Sequence, residues 1–312
     1  MPTRAIPILP GYEVLSRIGR GAGAVISLAR DTVQGRPVAV KHIVRRRPED
    51  DRFIAQAENE YAVARQLNHP YLRKCYDLVR VRRWLKTREL VLVMEYVDGE
   101  RLEDECPGDL PTILAIFKKV AEGLHALHQH GYAHADIKPN NILLTRDGGL
   151  KIIDFGQSCP LGHAKQRIQG TPDFIAPEQV HRAEIDQRTD VYNLGATMYW
   201  VVTGKWFRTL VTVASPTARR IALESQRDND PPHELDPRVP LPLSRLILEC
   251  CEAAKERRPR DMREVLSRLE VVEQVSSRWS TETEARPGGD GPSAWSAAPP
   301  EPEPPGSMAE DV

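Results

Sequence analysis

The sequence predicts an α+β chain in two lobes: an antiparallel N-terminal sheet with one helix over residues 12–97, then a mainly α-helical lobe over 98–271. Three observations carry this. Up to Val97 the apolar residues mostly alternate between short turns, the pattern of half-buried strands. Beyond Pro111 they recur at three- and four-residue spacing, the pattern of helices. Between the helical stretches a hairpin, with strands at 142–144 and 150–153 around Asp147-Gly148-Gly149, carries two carboxylates, a lysine and an amide towards one edge.

Residues 1–11 form an N-terminal extension. Strands are predicted over 12–18 and 25–29, joined by the glycine turn Gly19-Arg20-Gly21-Ala22-Gly23, and over 37–41. Phe53, Ala57, Tyr61, Ala64 and Leu67 mark a helix over 53–67, which Asn68-His69-Pro70 stops. Strands near 75–81 and 89–96 complete the first lobe. In the second lobe, helices are predicted over 111–130, ended by Gly131, then 191–203, 243–251 and 262–269. The stretch 191–203 has almost no polar face and reads as a buried helix. From 272 to 312 the chain turns rich in Pro, Glu and Ser, and disorder is predicted there, because it buries too little apolar surface to offset chain entropy.

The 312 residues carry a formal net charge of −1, which argues against nucleic acid as the primary partner. Basic runs at Arg45-Arg46-Arg47, Arg73-Lys74 and Arg80 with Arg82-Arg83 read as solvated faces. Five cysteines at irregular spacing give neither a disulfide framework nor a tetrahedral metal pattern, which fits a reducing cytoplasm. No apolar run is long enough to cross a bilayer, so no membrane association is expected.

The polar edge of the hairpin holds Asp136, Lys138, Asn141 and Asp154. Asn141 and Asp154 offer oxygen to a hard cation such as Mg²⁺, leaving Asp136 and Lys138 to face what the metal holds. The glycine turn lets backbone amides approach phosphates, and Lys41 on the neighbouring strand needs an anion if it points inward. Taken singly, each feature has a plain reading: a hairpin turn, an exposed lysine, a buried strand.

Together, His134-Ala135-Asp136-Ile137-Lys138-Pro139-Asn140-Asn141, Asp154-Phe155-Gly156 and Ala176-Pro177-Glu178 resemble the eukaryotic-type Ser/Thr protein kinases, and short loops without inserts resemble soluble bacterial members. The resemblance covers about 12–269 and implies the two-lobed protein-kinase fold, with a kinase domain over 12–271. It implies that Asp136 orients the substrate hydroxyl, Lys138 neutralises the γ-phosphate, and Lys41 pairs with Glu60. ATP would lie against Ile18, Gly19, Arg20, Gly21, Ala22, Gly23, Ala24, Ile26, Ala39, Lys41, Met94, Glu95 and Val97. Asn141 and Asp154 would hold Mg²⁺, or Mn²⁺ in its place. Thr171, Glu178, Asp190 and Arg258 would be structural: Thr171 supporting Asp136 and Lys138, Glu178 pairing with Arg258, and Asp190 capping the buried helix while bracing the catalytic loop. The partners implied are ATP and protein substrates.

The chain departs from the family at Ala135, where relatives carry an arginine that receives an activation-segment phosphate, and at Ala24 in the third glycine position. Gly23 stands where many relatives have an aromatic tip. From Cys159 to Gly170 there is no Ser, Thr or Tyr. A non-RD kinase independent of activation-loop phosphorylation is the expectation. The alternative is a pseudokinase acting as a nucleotide-binding scaffold.

Overall fold

A computed structural model describes residues 9–21, 23–83, 86–211 and 229–284. Five strands, β1 (Tyr12–Gly21), β2 (Ala24–Asp31), β3 (Pro37–Val44), β4 (Cys75–Arg83) and β5 (Lys86–Glu95), form one antiparallel sheet in the order β1-β2-β3-β5-β4. Helix α1 (Asp51–Ala64) joins β3 to β4.

The two-residue period of the strands decides what each face does. Val38 and Val40 of β3 and Val91 and Val93 of β5 pack on one side with Leu9 and Ala29. Ala39 and Ile43, with Leu90, Leu92 and Met94, pack on the other side, in the main core that includes Ile54, Ala57 and Val63 of α1. Lys41 lies between Ala39 and Ile43 in this alternation, so it shares their face and points towards α1. Met94 is fully buried, a contribution of about 1.5–3 kcal/mol from removing its side chain from water.

The second lobe begins with β6 (Gly99–Arg101) and α2 (Leu110–Gln129), which Asp109 caps by accepting the Thr112 amide. Then come β7 (Tyr132–Ala133) and the hairpin β8 (Ile142–Thr145) and β9 (Leu150–Ile152), which forms a three-stranded sheet with β6. The stretch after Gly156 supplies β10 (Cys159–Pro160), paired with β7, and β11 (His163–Ala164), paired with β12 (Glu184–Ile185). Helices α3 (Pro177–His181), α4 (Gln187–Thr203), α5 (Pro232–Leu235), α6 (Leu241–Cys250) and α7 (Met262–Glu284) complete the lobe. Among the described residues no helix is long and apolar enough to cross a membrane.

Three boundaries differ from the sequence reading. Helix α1 stops at Ala64 rather than 67, because the Gln66 and Leu67 amides turn back to Val63 and Ala64 in tighter i to i+3 bonds. Helix α7 runs to Glu284, so the domain edge expected at 271 falls inside a helix. Buried Met262, Val265, Leu269 and Val272 continue one apolar stripe, and the Lys118 ammonium meets Glu273 at 2.6 Å from α2. Ser276, Ser277, Ser280, Thr281 and Thr283, expected in a flexible tail, lie within this helix; residues 285–312, expected to be disordered, lie outside the described residues. Helix α4 begins at Gln187, and its cap is Asp186, which accepts the Arg188 amide, rather than Asp190.

Candidate active site

The register of the sheet gathers residues expected from the sequence to face a nucleotide. Gly19 pairs with Ile26, Ile26 with Lys41 and Ala39 with Met94, and residues directly opposite one another share a face. Ala24 and Ala39 are buried, while Ile18 and Arg20 are exposed. Ala22 lies outside the described residues. Gly23 has φ +70°, and a Cβ there would overlap the Phe53 ring of α1. The Phe53 ring of α1 therefore lies directly against the backbone of this turn. The Glu95 amide donates to the Lys74 carbonyl at 2.9 Å, and its carboxylate pairs with Lys151 at 2.8 Å, away from the cleft. Val97 follows, half-buried.

Glu60, wholly buried on α1, receives two cations: Lys41 at 2.8 Å on one oxygen and Arg73 at 2.6 Å on the other. Arg73 is therefore not on a solvated face, as its neighbourhood in the sequence suggests; it is a buried second partner. Lys41 also stands 3.9 Å from Asp154. Burial alone would lower the Lys41 pKa, but Glu60 and then Asp154 hold it above its ordinary value. Burial would likewise raise that of Asp154, yet Lys41, Arg73 and His134 hold it low, so the carboxylate is charged.

The catalytic-loop residues converge on Thr171. Its hydroxyl donates to one oxygen of Asp136 at 2.9 Å and accepts from the Lys138 ammonium at 2.6 Å; Lys138 stands 3.1 Å from the other Asp136 oxygen. Asn141 donates to the Asp136 carbonyl at 2.8 Å, which fixes the amide so that its oxygen is the end left for other partners. The Ile153 amide donates to the Asn141 carbonyl at 2.9 Å, placing Asp154 directly after a residue tied to Asn141. Asp154 itself has φ +66° and accepts the Gly156 amide.

Ala135, fully buried, is also left-handed at φ +60°, a conformation that costs an L-residue about 1–2 kcal/mol. The surroundings fix it. Its carbonyl accepts from Gln179 at 2.8 Å, and Asp190, wholly buried, accepts from the His134 and Ala135 amides, one on each oxygen. His128 completes Asp190 at 2.8 Å. Asp190 thus braces the loop through its backbone. Further out, Glu178 and Arg258 form a two-pronged pair at 2.8 and 2.9 Å, with the Thr189 hydroxyl on the same carboxylate at 2.7 Å.

Sequence reasoning missed Arg73, His128, Gln179, Asn59 and Lys165. The last two donate to backbone carbonyls of residues 155–158, far from both in the chain, and no residue type in the sequence marks such an acceptor.

Similarity to known proteins agrees with this geometry. The family model described as protein kinase domain matches residues 12–269. A probable serine/threonine-protein kinase of Clostridium acetobutylicum is 30% identical over 270 residues, 84% of this chain and 40% of its own length. The serine/threonine-protein kinases PknB of Mycolicibacterium smegmatis and Mycobacterium leprae are 32% and 34% identical, each over 62% of this chain and 32% of their own length. The chain therefore spans two-fifths or less of the length of these relatives. With more than half of it matched by that model, the chain belongs to the protein kinase domain family.

Proposed function

We propose that this chain is a Ser/Thr protein kinase that transfers the ATP γ-phosphate to protein hydroxyls without needing phosphate on its own activation segment. The observation that carries the reading is the Asp136–Thr171–Lys138 cluster, standing assembled while Lys41 and Glu60 are joined. Phosphoryl transfer asks little of a protein beyond positioning and charge. Asp136, held on both oxygens, accepts the proton of the incoming hydroxyl. Lys138, two residues on, carries the charge that offsets the γ-phosphate, in the pattern of the Ser/Thr branch. Lys41, fixed by Glu60, binds the inner phosphates, and the backbone near Glu95 and Val97 receives adenine.

Asn141 and Asp154 would hold Mg²⁺. Both present hard oxygen, and the Asn141 amide is oriented by its bond to the Asp136 carbonyl. When bound, the ion neutralises charge on the transferring phosphate.

Independence from phosphate is supported by Ala135, which has no cation to offer a phosphate, and by a segment from Cys159 to Gly170 without a hydroxyl. The test is transfer from ATP/Mg²⁺ to a generic Ser/Thr substrate before and after phosphatase treatment, alongside Asp136→Ala and Lys41→Met. Wild type is expected to keep its activity after treatment and both variants to lose theirs. Equal signal in all three would leave a nucleotide-binding scaffold; loss on phosphatase treatment would remove the phosphate-free claim.

A further inference from the structure

Four carbonyls in succession follow Asp154, and each faces a side-chain donor. The Asn59 amide nitrogen on α1 lies 3.3 Å from the Phe155 carbonyl, 3.2 Å from that of Gly156 and 2.8 Å from that of Ser158. The remaining one, Gln157, accepts from the Lys165 ammonium. Three carbonyls around one end of an amide identify that end as the NH₂ group, since oxygen there would face only acceptors. Backbone groups left unpaired away from water cost free energy. The Phe155 carbonyl also accepts the Ser158 amide at 3.1 Å, and the carbonyls of Gly156, Gln157 and Ser158 lean on these two side-chain donors.

Lys165 is an unusual choice for this task. It is the one buried residue between 162 and 168, 9% exposed, with exposed neighbours on either side. Among the described residues it makes no ion pair, and burial lowers its pKa, offset in part by Cys159, Asp136 and Asp190. Next to it, Ala133, Ala135 and Cys159 form one buried cluster with Ile185, against which Leu161 packs. The activation segment therefore brings its own cation inward, beside a loop whose Ala135 carries none.

We propose that Asn59 and Lys165 are positioning residues, a two-point clasp on the carbonyls of 155–158 that holds Asp154 and helix α1 in working register. Asn59 immediately precedes Glu60, so α1 cannot withdraw Glu60 from Lys41 without also releasing three of those carbonyls. Lys165 closes the fourth from the opposite side. The inference rests on the phosphate-free kinase reading and supplies its physical means: donors within the chain do the holding.

The experiment uses the full chain, untreated and phosphatase-treated, with Asn59→Ala, Asn59→Asp, Lys165→Met and Lys165→Arg. Three quantities are read: kcat, KM for the protein substrate, and amide hydrogen exchange over 154–165. Loss of either clasp is expected to lower kcat about tenfold and to speed exchange by a similar factor. KM for the protein substrate should hold, and the thermal midpoint should fall by only a few degrees. Lys165→Arg, which keeps a charged donor, should restore most of the activity that Lys165→Met loses. Asn59→Asp should be worse than Asn59→Ala, because a carboxylate would face three carbonyls. Unchanged kcat and exchange in Asn59→Ala and Lys165→Met would overturn the proposal, as would an arginine variant no better than methionine at intact stability. Failure of the underlying reading looks different. A wild type silenced by phosphatase, or inactive throughout, still leaves the exchange comparison to decide the clasp.

Discussion

Asp190 grips the backbone of Ala135 from inside the second lobe, one carboxylate oxygen on the Ala135 amide at 2.7 Å and the other on the His134 amide at 2.8 Å. A left-handed non-glycine residue thereby becomes a fixed point of the catalytic loop. Burial alone would raise the Asp190 pKa, but His128, His134 and the Ala135 amide hold it below the ordinary 3.8. A carboxylate depressed in the native state stabilises the fold fully above its unfolded pKa, and that stabilisation fades as pH falls through the lower native value. Asp190→Asn should remove this dependence and flatten the acid limb of unfolding. At neutral pH it should cost about 2–4 kcal/mol, since the amide NH₂ would meet N–H donors. Urea midpoints against pH for the two proteins check both outcomes.

Restoring the arginine common in relatives should harm this chain. Ala135 is packed with Ala133, Cys159 and Ile185, and Lys165 already lies buried nearby. Ala135→Arg adds a second buried cation and a long side chain where the Asp190 carboxylate is already taken up by the His134 and Ala135 amides and by His128. A stability loss of about 2–4 kcal/mol is expected, together with loss of transfer. A more active or more stable Ala135→Arg would contradict this.

Glu60 holds Lys41 and Arg73 on separate oxygens. Removing Arg73 should leave Glu60 over-reliant on Lys41, so Arg73→Met is expected to destabilise the fold by about 1–3 kcal/mol and to lower kcat. In a double-mutant cycle with Glu60→Gln, the coupling should be about 1–3 kcal/mol. Strict additivity would mean that the close contact carries no energy.

Arg258→Met strands the Glu178 carboxylate in a buried site and is expected to cost about 3–5 kcal/mol. Glu178→Gln added to it should recover part of that, because a neutral amide replaces the unpaired charge. Thermal unfolding of both variants tests the order.

How much of this could be read beforehand follows from distance along the chain. Asp136, Lys138, Asn141 and Asp154 sit within one loop and one hairpin, so their spacing shows the cluster directly. The alternation around Lys41 shows which face it takes. Arg73 hides beside Lys74 as an ordinary basic pair, because its burial depends on α1 lying over it. Asn59 and Lys165 act on backbone carbonyls, and backbone leaves no residue-type signal to match against. Asp190 reads as the cap of α4 only if the helix starts at 191; with its start at Gln187 the cap is Asp186, and Asp190 is free for the loop. The stripe of α7 was visible through Leu269, and Val272 extends it by one more turn.

The Gly23–Phe53 contact has a practical consequence. Because the Phe53 ring of α1 packs against Gly23, movement of the glycine turn and seating of that helix are expected to go together. ATP affinity should then serve as a gauge of helix placement: ligands or substitutions that unseat α1 from a distance would announce themselves as weakened nucleotide binding, even where no atom of the cleft has been altered.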